Sequence, residues 1–159
     1  MSIQTSQKNV TSELNRLTDI FYRAVSFEAG EAPAYARIYD LFIAPGLLIK
    51  NTGATPEICG LREFIEPRQA SFSAGELTRF RETELVEQTE IFGNVAHRFS
   101  AYSKSGTLKG VSFATRGLVS IQFVLIQAGW KMSAMAWDDE RPGLKLPGHF
   151  EPTPSGAAR

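Results

Sequence analysis

Two periodicities divide the chain. From Thr11 or Ser12, either of which suits a helix cap, Leu14, Leu17, Phe21, Ala24 and Val25 recur at helical spacing, with Asn15, Asp19, Arg23 and Ser26 on the opposite side. Gly30 ends that stretch. Pro33 suits the first turn of a second helix, where Tyr35, Ile38, Tyr39 and Phe42 follow the i, i+3, i+4, i+7 template. Ala44-Pro45-Gly46 breaks it. "LLIKN" then reads as a short strand and "TGATPEICG" as a loop. "LREFIEPRQASF" reads as a third helix, which Pro67 should kink or split.

Beyond Gly75 the period shifts towards two. "LTRFRETELVEQTEIF" and "VAHRFSAYSKS" flank Gly93-Asn94, a two-residue hairpin turn. Counting back from it pairs Phe92 with Val95, Glu90 with His97 and Gln88 with Phe99. "VSFATRGLVSIQFVLIQ" is a long strand, and "GWKMSAMAW" returns along it after a tight turn at Ala128-Gly129. A two-residue turn there pairs Gln122 with Met135 and Ser120 with Trp137. Met135 and Trp137 then share the face of Gln122, with Trp130 and Met132 on the other. A three-residue turn reverses the assignment. Helices first and a strand meander behind predict an α+β fold. Three N-terminal helices pack on a strongly curved, mostly antiparallel sheet, forming a cone with an internal pocket. The expected division is a flexible N-terminus over 1–10, one domain over 11–141, and a Pro/Gly-rich tail over 142–159.

Composition narrows the function. The 159 residues are 43% apolar and 21% charged, and 17 basic residues balance 17 acidic ones. Without a positive field, nucleic acid and anionic membranes are poor partners. Cys59 is the only cysteine, so no internal disulfide forms. The N-terminal residues are too polar for a signal peptide or a membrane span, which makes the cytoplasm the default location. Only two histidines are present, with no metal-ligand spacing and no phosphate loop. No metal and no cofactor is expected.

Three stretches carry a likeness: "RIYDLFIAPGLLIKNTG" before a loop ending "ICGLREFI", the hairpin "EIFGNVAHRFSAY", and "GLVSIQFVLIQAGWKMSAMAWDDE". Their order resembles the nuclear transport factor two-like superfamily, including ketosteroid isomerase, scytalone dehydratase and the SnoaL-like cyclases. The resemblance spans roughly residues 12 to 141 and implies the cone fold. It puts Lys50 where ketosteroid isomerase has its proton-moving aspartate, so that mechanism does not carry over. A desolvated Lys50 would act as a base or imine-former; otherwise it snorkels to the rim. Gln122 falls near the family's oxyanion donor, with Ser120 beside it; the alternative is a pair of polar residues tying the sheet to water. His97, paired with Glu90, is a candidate acid or base or else a surface pair. The helices' tyrosines, Tyr22, Tyr35 and Tyr39, reach a pocket or form half-buried core. Phe99, Met135 and Trp137 complete the expected wall.

Val119, Ile121, Phe123 and Leu125 form an apolar row opposite Gln122. On an outer sheet face such a row implies a covering partner, and homodimers are common among the related domains. The function implied is a small-molecule pocket of the SnoaL-like kind, acting as an isomerase, dehydratase or cyclase on an apolar carbonyl-bearing ligand. The alternative is a non-catalytic binding or dimerisation module.

Overall fold

The computed structural model describes residues 3–154, with side chains from residue 6 onward. Helix α1 spans Ile3–Val25 and helix α2 spans Leu61–Ser73. The strands are β1 Phe42–Lys50, β2 Glu57–Cys59, β3 Leu77–Phe92, β4 Val95–Leu108, β5 Val111–Ile126 and β6 Gly129–Asp139. They form one sheet in the order β2-β1-β6-β5-β4-β3. All neighbours are antiparallel except β1 and β6, which run parallel. Among the described residues no helix is long and apolar enough to cross a membrane.

The apolar stripe of α1 lies on the sheet: Leu14, Leu17, Phe21, Ala24 and Val25 are all buried. The helix begins at Ile3, well before the Thr11/Ser12 cap read from the sequence. The second expected helix is shorter and tighter, a 3-10 turn over Tyr35–Asp40. Phe42 leaves it to open β1, whose irregular residues include the Ala44-Pro45-Gly46 break. The helical layer is therefore two α-helices and one 3-10 turn rather than three helices. A six-residue segment forms too few backbone bonds to propagate an α-helix on its own. Helix α2 runs through Pro67 as one element.

The Gly93-Asn94 hairpin has the counted register, Phe92 facing Val95, Glu90 facing His97 and Gln88 facing Phe99. Gly93 has φ +56°, the left-handed value that a type II′ turn requires at its first central residue. The turn joining β5 and β6 falls one residue earlier than expected. Ile126 faces Gly129, so Gln127-Ala128 is the loop. Farther along, Gln122 faces Ala134 whereas Phe123 faces Met132, so Ser133 is an unpaired extra residue. This bulge reverses parity in mid-strand. Trp130 and Met132 before it, and Met135 and Trp137 after it, all face the helices: the first three are buried and Trp137 packs partly buried against the same core. A second irregularity between Glu84 and Val86 does the same in β3.

Residues 141–150 fold back over the outer sheet face. Leu146 and Phe150 bury Ala101 and pack against Leu85, Val86 and Leu118. Arg116 clamps this segment, with ion pairs to Glu140 at 2.8 Å and Glu151 at 2.7 Å. This part of the expected tail is docked. Residues 1–2 of the expected flexible start and 155–159 of the tail lie outside the described residues.

One close approach on the inner face sets a strict sequence demand. The Tyr102 phenol lies directly over Gly117, so a Cβ at Gly117 would collide with it and with the Asp138 carbonyl. Gly117→Ala should therefore destabilise the protein by about 2 kcal/mol or more. Urea unfolding followed by circular dichroism measures this. A loss below about 0.5 kcal/mol would show that Tyr102 moves aside freely.

Candidate functional site

The inner face of the sheet and the helices enclose a cavity of about 180 Å³. Much of its wall is apolar: Phe21, Val25, Phe64, Phe80, Phe113, Val119, Met135 and Trp137. Phe64 of α2 meets Trp137 edge-on, ring centroids 6.0 Å apart. Charged side chains reach the same space, namely Lys50 from β1, Arg68 from α2, Glu82 from β3 and Lys104 from β4.

Glu82 is the group that sequence reasoning missed. It follows Phe80 by two residues, so strand parity sends both side chains inward. Its backbone is held by Ser26, whose Oγ accepts from the Glu82 N–H at 3.0 Å while donating its own proton to the Tyr22 carbonyl at 2.7 Å. Among the described residues its carboxyl makes no hydrogen bond and no salt bridge. Burial raises its pKa from 4.5 to about 7, with Asp139 raising it further and Lys104 and Arg68 opposing the rise. The available signal was the alternation in "RFRET", where an acid shares the face of a core phenylalanine.

The other polar groups are largely satisfied by one another. Ser100 donates to Glu84 at 2.6 Å, so its hydroxyl proton is already used and Tyr22, 2.7 Å away, is the donor to it. Tyr22 therefore offers the cavity a ring rather than a free hydroxyl. Tyr102 donates to Asp139 at 2.6 Å, and Lys104 pairs with that carboxylate at 2.9 Å. Tyr35 is different. It is buried and lines the cavity, and among the described residues its side chain makes no hydrogen bond. Burial raises the pKa of its phenol, which keeps it a protonated donor.

The structure brings Tyr22, Lys50, Met135 and Trp137 together in the cavity wall. It does not bring His97, Phe99, Ser120 or Gln122 there; all four are exposed on the outer face. Gln122 accepts a hydrogen bond from Ser133 at 2.8 Å on that side. His97 faces Glu90 and Gln122 across the sheet, but on the face away from the cavity. Phe99 packs against Phe150. Conversely, Val119, Ile121 and Phe123 are buried in the core instead of forming an outer row. Only Leu125 of that row is substantially exposed. Burying each of three large apolar side chains yields about 1.5–3 kcal/mol, whereas burying Ser120 and Gln122 would demand hydrogen-bond partners. Burial therefore sets the parity of β5. The misplaced turn and the Ser133 bulge explain why Met135 and Trp137 nevertheless face inward: they stand opposite Ile121 and Val119.

Among the described residues no group of three or more His, Cys, Asp or Glu side chains is placed to hold a metal ion.

No protein-family model and no curated protein matches the sequence. Solved structures do. A nuclear transport factor 2-like superfamily protein from Salmonella enterica serovar Typhimurium matches with TM-score 0.69 at 13% identity, over 96% of this chain and 97% of the other. The chain has a nuclear transport factor 2-like fold. An uncharacterised protein of cystatin-like fold from Caulobacter vibrioides matches with TM-score 0.65 at 12% identity, covering 84% of this chain and 91% of the other. A proposed aromatic ring hydroxylase from Novosphingobium aromaticivorans matches with TM-score 0.63 at 16% identity, covering 81% and 87%. At such identities the nuclear transport factor 2-like likeness fixes the architecture alone.

The raised pKa of Glu82 has a sign that can be measured. Its folded value of about 7 lies above its ordinary 4.5, so the fold favours the protonated form. That contribution is fully present below about pH 4.5 and is lost as pH rises through about 7, a change of roughly 3 kcal/mol. Glu13, Asp138, Glu140 and Glu151 have lowered values from their arginine partners, so they act at more acidic pH. Urea midpoints of the wild type should fall between about pH 4.5 and 7, and Glu82→Gln should flatten that limb. Parallel curves for the two proteins would show that the Glu82 carboxyl is solvated.

Proposed function

We propose that the cavity binds a small apolar, carbonyl-bearing molecule and that Glu82 transfers a proton on it. The observation that carries this is one unbonded carboxyl facing an apolar enclosure, where burial pushes its pKa up to about 7. A base of that kind is strong enough to accept a proton and is about half ionised at neutral pH. As carboxylate, Glu82 takes a hydrogen from the carbon next to the carbonyl. The electron pair left behind moves onto the carbonyl oxygen. The Tyr35 hydroxyl is the free donor for that oxygen. Return of the proton to another atom is isomerisation, loss of a leaving group is dehydration, and attack by the carbanion on a second carbonyl is cyclisation. Glu82 takes the base role first considered for Lys50 and His97, Tyr35 takes the oxyanion-donor role first considered for Gln122, and Lys50 becomes a cation in the wall. The single cysteine fits a reducing, cytoplasmic setting as part of this reading.

Hydrogen–deuterium exchange tests the proton transfer. Cyclohexanone in deuterium oxide, followed by nuclear magnetic resonance, should exchange its α-hydrogens faster with the wild-type protein, the rate rising through about pH 7. Glu82→Gln should lower the catalysed rate by about 100-fold or more. Ring binding without exchange would instead identify a non-catalytic binding module.

The outer sheet face supports a homodimer through different residues from those first expected. Beyond the docked segment it exposes Phe92 (86%), Val95 (46%) and Phe99 (46%), with Val124 facing Val95. A second copy would bury this patch. Val95→Lys should then yield monomers in light scattering. A wild-type protein that is already monomeric at high concentration removes the dimer.

A further inference from the structure

We propose that the ligand of this cavity carries a carboxylate on a single apolar ring, and that Arg68 is the residue that selects it. This rests on the cavity being a small-molecule site, but not on Glu82 being a catalyst.

Arg68 stands where an apolar residue belongs. Leu61, Phe64 and Ile65 form the buried face of α2, and Arg68 continues that stripe at i+7, i+4 and i+3. Its guanidinium carbon lies 3.6 Å over the centre of the Phe64 ring, and one N–H donates to the Phe64 carbonyl at 3.0 Å. Those contacts fix the plane of the group and leave its other donors free. Burial lowers its pKa, yet an arginine remains charged.

Elsewhere the partly or fully buried arginines have carboxylate partners. Arg79 pairs with Glu28, Arg98 with Glu84 and Glu87, and Arg116 with Glu140 and Glu151. Among the described residues Arg68 has no salt bridge. Glu57 and Glu82 act on its charge from a distance without closing one. Lys50 brings a second cation to the same wall, whereas the charge of Lys104 is already answered by Asp139. A fixed, planar, unpaired guanidinium at the edge of an apolar enclosure is a receptor for a planar anion, and a carboxylate matches its fork of donors.

Volume sets the rest of the ligand. An apolar cavity of about 150 Å³ takes up benzene, so one of about 180 Å³ holds one ring with a small substituent. Phe64, Trp137 and Phe113 supply aromatic walls for that ring.

Calorimetric titration at about pH 6 tests the assignment, with benzoate, its neutral isostere benzamide, and phenyl phosphate as probes. The wild type should bind benzoate at least about tenfold more tightly than benzamide. Arg68→Gln should remove that preference by weakening benzoate while leaving benzamide unchanged, and Arg68→Lys should restore part of it. Should Arg68→Gln fail to fold, the wild-type preference alone decides. Equal affinities, or tighter benzamide binding, overturn the carboxylate and leave the pocket in place. Tighter binding of phenyl phosphate overturns it in favour of a phosphate site. Binding of none of the three overturns both this inference and the pocket. Benzoate binding in a protein without α-proton exchange leaves Arg68 as assigned and removes only the catalytic role of Glu82.

Discussion

The helices cover one face of the sheet, and that single constraint orders the rest of the molecule. Each long strand can bury only alternate residues, so each must turn its more apolar row towards α1 and α2. In β5 the row is Val119, Ile121 and Phe123, buried to 5%, 1% and 0% exposure. In β6 no single parity suffices, because Trp130 and Met132 are out of phase with Met135 and Trp137. The extra residue at Ser133 brings both pairs to the same side. The bulge is thus a consequence of the burial requirement, and it also bends the strand around the helices.

The same constraint creates the site. Polar residues that share the inner parity must find partners beneath the helices or border an open space. Arg98, Ser100, Glu84 and Tyr22 form a bonded cluster against α1, where Arg98 also meets Asn15 and donates to Thr89 at 2.8 Å. Tyr102, Lys104 and Asp139 form another. Glu82, Tyr35 and Arg68 are left facing the cavity without such closure. Unanswered polar groups in an apolar enclosure cost stability, and they are the means by which a ligand is oriented.

The hairpin at Gly93-Asn94 shows what local chemistry specifies. The turn fixed every counted pair along β3 and β4 as far as Gln88 and Phe99. It did not say which side of that ribbon would meet the helices, so His97 and Phe99 were legible as neighbours and illegible as outer-face residues. At the next turn the loop is Gln127-Ala128 rather than Ala128-Gly129, and the counted pairs of Gln122 and Ser120 moved with it. Glycine at the first strand position, with φ +116°, resembles a turn residue in sequence.

By itself the sequence determined the α+β class, the apolar stripe of α1 and the hairpin register. These follow from periodicity, turn chemistry and the order of elements, which act over a few residues or along one strand. Only the tertiary structure decided the faces of β4, β5 and β6, the bulge at Ser133, the docking of Leu146 and Phe150 on Ala101, and the placing of Glu82 and Arg68 on one cavity. Those features depend on which surfaces lie against one another across the chain. Glu82 and Arg68 stand fourteen residues apart on different elements, and their environment arises only when the sheet closes over α2.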